Sequence, residues 1–244
     1  MMLLETKGLR RSFGGLEAVA GVDLAVAAGE VRALIGPNGA GKTTLVGLIS
    51  GRIDPTAGTI TFAGADITPL KAHERVARGI VYTFQITSIF RNLTCLGNVA
   101  LAAQRRLTLG RPVWSSVDRV ALEQASRQAL QQVGLGAQAD LIAGTLAYGH
   151  QRLLELAMGL ALAPRLLVLD EPTQGLAEAE IAAFCMLMHS IRATSTVLLI
   201  EHNMSVVMQL ADRITVMNGG RILAEGTPGE IRQDKSVQHA YLGA

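Results

Sequence analysis

Only two cysteines, Cys95 and Cys185, occur in 244 residues, without ligand-like spacing, so no disulfide framework or thiolate metal site organises this chain. They read as small buried hydrophobes or as isolated surface thiols. A basic excess is also missing: 22 Lys and Arg against 20 Asp and Glu give a formal net charge of +2, far from what phosphate-dominated binding draws on. The composition therefore points away from nucleic acid as a partner. Long apolar runs are absent. The richest stretch, Leu153 to Ala163, is broken by Glu155 and closed by Pro164, short of the roughly 20 residues needed to span a bilayer. The start, Met1 to Arg11, carries Glu5, Lys7 and Arg10 in place of a secretory layout, so a cytosolic location is expected. There is no internal repeat and no low-complexity tract. What remains is a hydrophobic content of 49%, enough for one large domain or a domain with an inserted lobe.

Val31 to Ile35 is a short apolar, partly β-branched run ending at Gly36, which predicts a buried strand, a glycine-rich loop and a helix from Lys42. Leu166 to Leu169 and Thr196 to Ile200 are two more such runs, each after helical patterning. A parallel sheet with helical crossovers is the economical architecture. Leu3 to Leu9, Leu16 to Val26, Gly58 to Phe62 and Ile214 to Gly226 alternate apolar and polar residues, predicting an antiparallel β layer. Asn218-Gly219-Gly220 marks the clearest hairpin turn. From Asn98 to Gly144 the sequence is helical, with Val117 to Val133 the clearest stretch, and Arg105 to Ser116, with Gly110, Pro112 and Trp114, reads as a connecting insertion.

Gly36-Pro37-Asn38-Gly39-Ala40-Gly41-Lys42-Thr43-Thr44 satisfies the phosphate-loop pattern in full and follows a predicted strand. Glycines let successive backbone N–H groups face a β-phosphate, and the helix start adds its dipole. Lys42 reaches the β- and γ-phosphates, and the Thr43 hydroxyl suits Mg²⁺. ATP and Mg²⁺ are the ligands this implies.

Leu166-Leu167-Val168-Leu169-Asp170-Glu171-Pro172 delivers two carboxylates at the end of a buried strand, where ligands sit in open α/β sheets. Alone, such a pair reads as a solvated strand end. Beside a phosphate loop, Asp170 suits the Mg²⁺ shell, and Glu171, aimed elsewhere by strand alternation, is placed to polarise a water attacking the γ-phosphorus. His202, after Val197 to Ile200 and Glu201, can hydrogen-bond a phosphate oxygen. His73, His150, His189 and His239 have no metal-like spacing and read as surface or boundary residues.

With these motifs the chain resembles the ABC ATPase family over nearly its whole length. Leu146-Ala147-Tyr148-Gly149-His150-Gln151 falls where that family carries its signature, Leu-Ser-Gly-Gly-Gln, of which Leu146 and Gly149 are retained. The resemblance implies that this segment, with the start of a helix over His150 to Leu162, caps the γ-phosphate bound on a second subunit. Ala147 lacks the serine hydroxyl, a deficit of about 1–3 kcal/mol against a charged phosphate. It also implies that Phe13 stacks on adenine, that Gln85 senses Mg²⁺ and the transport domain, and that His202 contacts the γ-phosphate. Where the family often reads Gly-Leu-Asp in a loop crossing the dimer interface, this chain has Gly175-Leu176-Ala177.

The expected fold is therefore a single α/β domain: a P-loop NTPase core over 1–84 and 164–244 with a mostly parallel sheet and an N-terminal antiparallel layer, and an inserted α-helical lobe over 85–163. The long segment after Gln85, the Leu-Ala-Tyr-Gly-His form and the tail Tyr241-Leu242-Gly243-Ala244 are similar to the ATPases of branched-chain amino acid importers, and importers of short amides and urea share these features. The implied partners are a second ATPase subunit, membrane-spanning permeases docking on the apolar set Ile86, Ile89, Phe90 and Leu93, and indirectly an extracytoplasmic solute-binding protein. The implied place is the cytoplasmic face of the membrane. Two other readings stay open: an ATP-binding regulatory subunit with little hydrolysis, suggested by Ala147 and Ala177, and a non-transport ABC ATPase.

Overall fold

The computed structural model describes residues 1–83, 88–110 and 117–242. The chain opens with β1 (Met2–Phe13), β2 (Leu16–Val22), β3 (Ala25–Ala27) and β4 (Val31–Ile35), followed by α1 (Lys42–Ser50), β5 (Ala57–Phe62), β6 (Ala65–Asp66), α2 (Ala72–Ala77) and β7 (Ile80–Thr83). Three longer helices follow, α3 (Cys95–Leu107), α4 (Arg119–Gln132) and α5 (Tyr148–Ala161). The remainder is β8 (Leu166–Asp170), α6 (Glu178–Ile191), β9 (Thr196–Ile200), α7 (Met204–Leu210), β10 (Arg213–Asn218), β11 (Arg221–Gly226), α8 (Pro228–Gln233) and α9 (Lys235–Leu242). Among the described residues, no helix is long and apolar enough to cross a membrane.

Two sheets form. In the first, β1 pairs antiparallel with β2, β3 and β5, and β6 extends β5. The second runs β11-β10-β4-β9-β8-β7, parallel from β10 to β7. Every residue of β4, β8 and β9 is buried, which is why these strands are mostly apolar, with Arg32, Asp170 and Thr196 as buried polar exceptions. The pleat divides the side chains of β8 and β9 between two cores, while Ala33 and Ile35 of β4 pack in a third with Val207, Ile214 and Ile231. Leu166, Val168, Leu198 and Ile200 pack with Leu4, Leu9, Val26, Phe62 and α1, whereas Leu167, Leu169, Val197 and Leu199 pack with Val99, Leu130, Leu154, Ala157 and Phe184. Both cysteines are buried.

Three expectations need correction. The 214–226 hairpin belongs to the parallel sheet, because the buried inner strand β10 pairs with β4 and only β11 runs antiparallel. Its turn, with Gly219 at φ 52° and Gly220 at φ 77°, does touch the first sheet through Ala20 N–H donating to Gly220 O, and alternation alone does not separate the two placements. The strand β7 carries no strong apolar run and was not expected. Helix α5 starts at Tyr148, two residues before the expected start, with Ala147 O accepting from Gln151 N.

Arg75 of α2 is buried and donates to Leu48 O and Ile49 O, the last carbonyls of α1, and to Leu70 O and Thr68 O. Helix ends leave such carbonyls without intrahelical partners, so one guanidinium closes the helix that follows the phosphate loop. Arg75→Met should destabilise the protein by about 3 kcal/mol, lowering Tm by roughly 6–12 °C for a chain of this size. A thermal melt showing no loss would remove Arg75 from this role.

Candidate functional site

The loop Gly36–Thr44 leaves the carboxyl end of β4 with Gly36, Gly39 and Gly41 at φ 150°, 79° and 97°, a left-handed series open to glycine. A Cβ on Gly36 would lie 2.2 Å from Met217 O, and one on Gly41 2.2 Å from Ala18 O. The loop is thus clamped from behind by β10 and β2, while Gly39 faces open space. Lys42 Nζ donates to Gly36 O at 2.6 Å and Pro37 O at 3.0 Å, which keeps its ammonium inside the curl. Burial lowers the Lys42 pKa, partly countered by Glu171 and Asp170. A glycine curl with an enclosed ammonium at the start of a nine-residue helix fits a polyphosphate. The oxygen donors beside it, the exposed Thr43 hydroxyl and the Asp170 carboxylate, fit a hard divalent cation.

Asp170 ends β8 and is 2% exposed, with Tyr82 Oη donating to its Oδ2 at 2.5 Å. Burial raises the Asp170 pKa most strongly, and the Tyr82 bond works against that. Burial and the same bond push the Tyr82 pKa well above the ordinary phenol value. Glu171 lies beyond the strand at φ 49°, so a left-handed turn aims it, not strand alternation as expected. Its N–H donates to Ile200 O at 2.9 Å, and its Oε1 lies 2.9 Å from His202 Nε2. Asn38, Glu171, Thr173, Gln174, Glu201 and His202 line one open cleft of ≈ 510 Å³. Asn38 of the loop, Glu171 and His202 thus meet in one cleft, and Lys42 lies close enough to Glu171 and Asp170 for both carboxylates to raise its pKa.

The other expected residues lie apart. Phe13 is exposed at the end of β1 with the Arg11 guanidinium 4.6 Å from its ring centroid. Gln85 lies outside the described residues. Leu146, Ala147, Tyr148 and Gly149 do not line the cleft. Leu146 is buried, Ala147 is the uncapped N-cap of α5, and a Cβ on Gly149 would lie 2.1 Å from Glu180 Oε1. Sequence reading missed Tyr82, which sits on the unexpected strand, and the structural part of Glu201. An acid directly after an apolar run, Val197 to Ile200, as Asp170 follows Leu166 to Leu169, was the available signal. His73, His150, His189 and His239 are exposed.

A carboxylate whose pKa is raised by burial opposes folding at neutral pH. Below the unfolded value of 3.8 both states are protonated and no penalty exists; it develops as pH rises through that value and is complete above the folded pKa. Asp170→Asn should therefore raise Tm without nucleotide at pH 7, with an advantage that shrinks toward pH 4. A lower Tm at pH 7 would show that hydrogen bonding to the carboxylate outweighs its desolvation.

The sequence pattern of the ABC transporter family matches residues 19–174, and that of branched-chain amino acid ATP-binding cassette transporters matches residues 221–244. The high-affinity branched-chain amino acid transport ATP-binding protein BraF of Pseudomonas aeruginosa is 42% identical, covering 99% of this chain and 98% of its own. LivG of Escherichia coli, of the same description, is 40% identical with the same coverage. The lipopolysaccharide export system ATP-binding protein LptB of Escherichia coli is 33% identical over 100% of this chain and 98% of its own. Among solved structures, the ADP conformation of MJ1267, an ATP-binding cassette of an ABC transporter, superposes with a TM-score of 0.87 at 30% identity, covering 100% of both chains. A likeness that extends through the phosphate loop, the strand-end carboxylates and the whole fold decides the family: the chain belongs to the ABC transporter ATP-binding subunits and is an ATPase.

Proposed function

We propose that this chain powers an ABC importer as one half of a pair of cassettes that closes on ATP, with branched-chain or other hydrophobic amino acids as the solute. The observation that carries the hydrolytic part is the Glu171–His202 pair, 2.9 Å apart, in the cleft that Asn38 of the phosphate loop also lines. In this reading the Lys42 ammonium and the amides of Gly39 to Thr44 bind the β- and γ-phosphates, with Gly36, Pro37, Asn38 and Ala40 shaping the loop. Phe13 stacks on adenine. Thr43 and Asp170, with Gln85, would hold Mg²⁺, which when bound offsets phosphate charge. Glu171 accepts a proton from the water whose oxygen bonds to the γ-phosphorus as the bond to the β–γ bridging oxygen breaks, and His202 steadies both Glu171 and a γ-phosphate oxygen.

Leu146 to Gly149 lie outside the cleft of their own chain, which supports their use on a nucleotide held by a second cassette. The dimeric cassette MJ0796 has the same fold, with a TM-score of 0.81 at 22% identity. The match at 221–244 favours amino acid import over the export role named for LptB. Docking of a permease is assigned to an exposed apolar patch made of Phe90, Leu93, Leu141 and Ile142. Ala143 N donates to Leu93 O and Cys95 N to Leu141 O, which holds the two segments side by side. Ile89 is partly buried against the helical core, and Ile86 lies outside the described residues. In this reading the chain sits on the cytoplasmic face of the membrane, below permeases that meet a solute-binding protein.

Glu171→Gln keeps size and hydrogen-bonding reach but removes basicity, so MgATP binding should persist, hydrolysis should be lost, and an ATP-dependent dimer should accumulate, alone or with a related cassette. ATP at a hundredfold excess over its Kd contributes about 2.7 kcal/mol to such a linked association. Sedimentation and phosphate release test this; undiminished hydrolysis would remove Glu171 from the reaction, and a chain monomeric under both conditions would remove the closed pair.

Phe90→Glu should lower amino acid uptake by the reconstituted transporter at least tenfold, since a charge facing an apolar partner is left without compensation. ATP binding by the free subunit should be unchanged. Undiminished uptake would place the docking surface elsewhere.

A further inference from the structure

Glu201 is a carboxylate that the reaction as proposed does not use. It stands between β9 and His202, is 3% exposed, and forms no ion pair with a lysine or arginine among the described residues. Its charge is met by four hydrogen bonds divided between two loops. Oε1 accepts from Thr173 N at 3.0 Å and from Thr173 Oγ1 at 2.5 Å. Oε2 accepts from His202 N at 3.0 Å and from Asn203 N at 3.2 Å. A buried carboxylate held by several N–H and O–H donors is fixed in its place.

Each loop so held carries one member of the Glu171–His202 pair. Thr173 lies two residues after Glu171, whose left-handed φ of 49° is a conformation that a residue with a side chain keeps only when its surroundings impose it. That turn is closed on one side by Glu171 N donating to Ile200 O and on the other by Gln174 N donating to Glu171 O. Glu201 adds the connection from Thr173 to the backbone of His202 itself. Asn203, the other residue it holds, caps α7 by accepting from Ser205 N and Val206 N, so the clip is anchored to a helix.

We propose that Glu201 is a positioning residue for hydrolysis: its carboxylate fixes the Glu171 turn and the His202 loop as one unit, which sets the contact between their side chains. The inference rests on the reading of Glu171 as the group that activates water. Geometry explains why a carboxylate is needed. Glutamine presents one acceptor and one NH₂ to four donors, so either the Thr173 side or the His202 side of the clip is left facing a donor. The pair then loses its fixed separation, and a displacement of about 1 Å near reacting atoms costs on the order of a hundredfold in rate.

The test uses the full chain, with its partner cassette and permeases where basal turnover requires them, and measures kcat, KM, binding of a fluorescent ATP analogue and Tm. Glu201→Gln should lower kcat roughly 10- to 100-fold while KM stays within about threefold of wild type. Thr173→Val, which removes one donor and leaves the bonds to His202 and Asn203, should give a smaller kcat loss with the same unchanged KM. It also carries the test if Glu201→Gln fails to fold. Wild-type hydrolysis by Glu171→Gln would overturn the reading of the site and the clip with it. Hydrolysis lost in Glu171→Gln but unaltered in folded Glu201→Gln, or in Thr173→Val when the former does not fold, would overturn the clip alone.

Discussion

Hydrogen-bonded register among three buried strands is the constraint on which the site depends. Leu34 of β4 and Asp170 of β8 both pair with Ile200 of β9, from its two sides. The phosphate loop, Glu171 and His202 therefore leave one edge of the sheet within two residues of a common line. Slipping one strand by one residue would move its group by about 3.3 Å and turn its side chains to the opposite face. The cores forbid that, because alternate residues of each strand are committed to different sides of the sheet. Precision at the site is thus a by-product of packing on both faces.

The groups so placed are costly ones. Asp170 is buried with a raised pKa, Lys42 is buried with a lowered one, and Glu171 occupies a left-handed turn. Each is a departure from what folding alone would select, gathered at the strand ends where the apolar runs stop. Tyr82 and Glu201 contain part of the cost. Tyr82 donates to one carboxylate, and Glu201 collects the donors of the loops around the other. A bound polyphosphate and divalent cation would complement the remaining charge, which makes the ligand-free site the strained partner in binding.

The parts of this arrangement legible in the sequence are those encoded locally. The phosphate loop needs consecutive residue types, and an apolar run closing on Asp170-Glu171 announces both a strand and its chemistry. What stayed hidden depends on neighbours distant along the chain. Strand β7 is four residues and owes its place to β8. The 214–226 hairpin has the alternation of a one-sided strand pair, and its membership of the parallel sheet follows only from β10 meeting β4. The turn at Glu171 is a backbone conformation that no side-chain pattern signals, and Glu201 gains meaning only once Thr173, 28 positions away, is seen to donate to it.

Two of the departures from the family's residues, Ala147 and Ala177, are helix N-caps, of α5 and α6, positions where serine or aspartate would accept from the first-turn amides. Alanine has no acceptor, and at α6 only the reverse half of a cap is made: Glu180 Oε2 accepts from Ala177 N at 2.8 Å. The other oxygen of Glu180 lies against Gly149, where a Cβ would come within 2.1 Å of it. Close by, a Cβ on Gly175 would meet the Tyr148 ring at 3.3 Å. The two helix starts thus lean on each other through Gly149 and Gly175, the latter in the loop that begins at Glu171. Larger side chains at either glycine would separate them. In this chain the segment Leu146 to Gly149 and the loop after Glu171 share a packed contact, so displacement of one start strains the other.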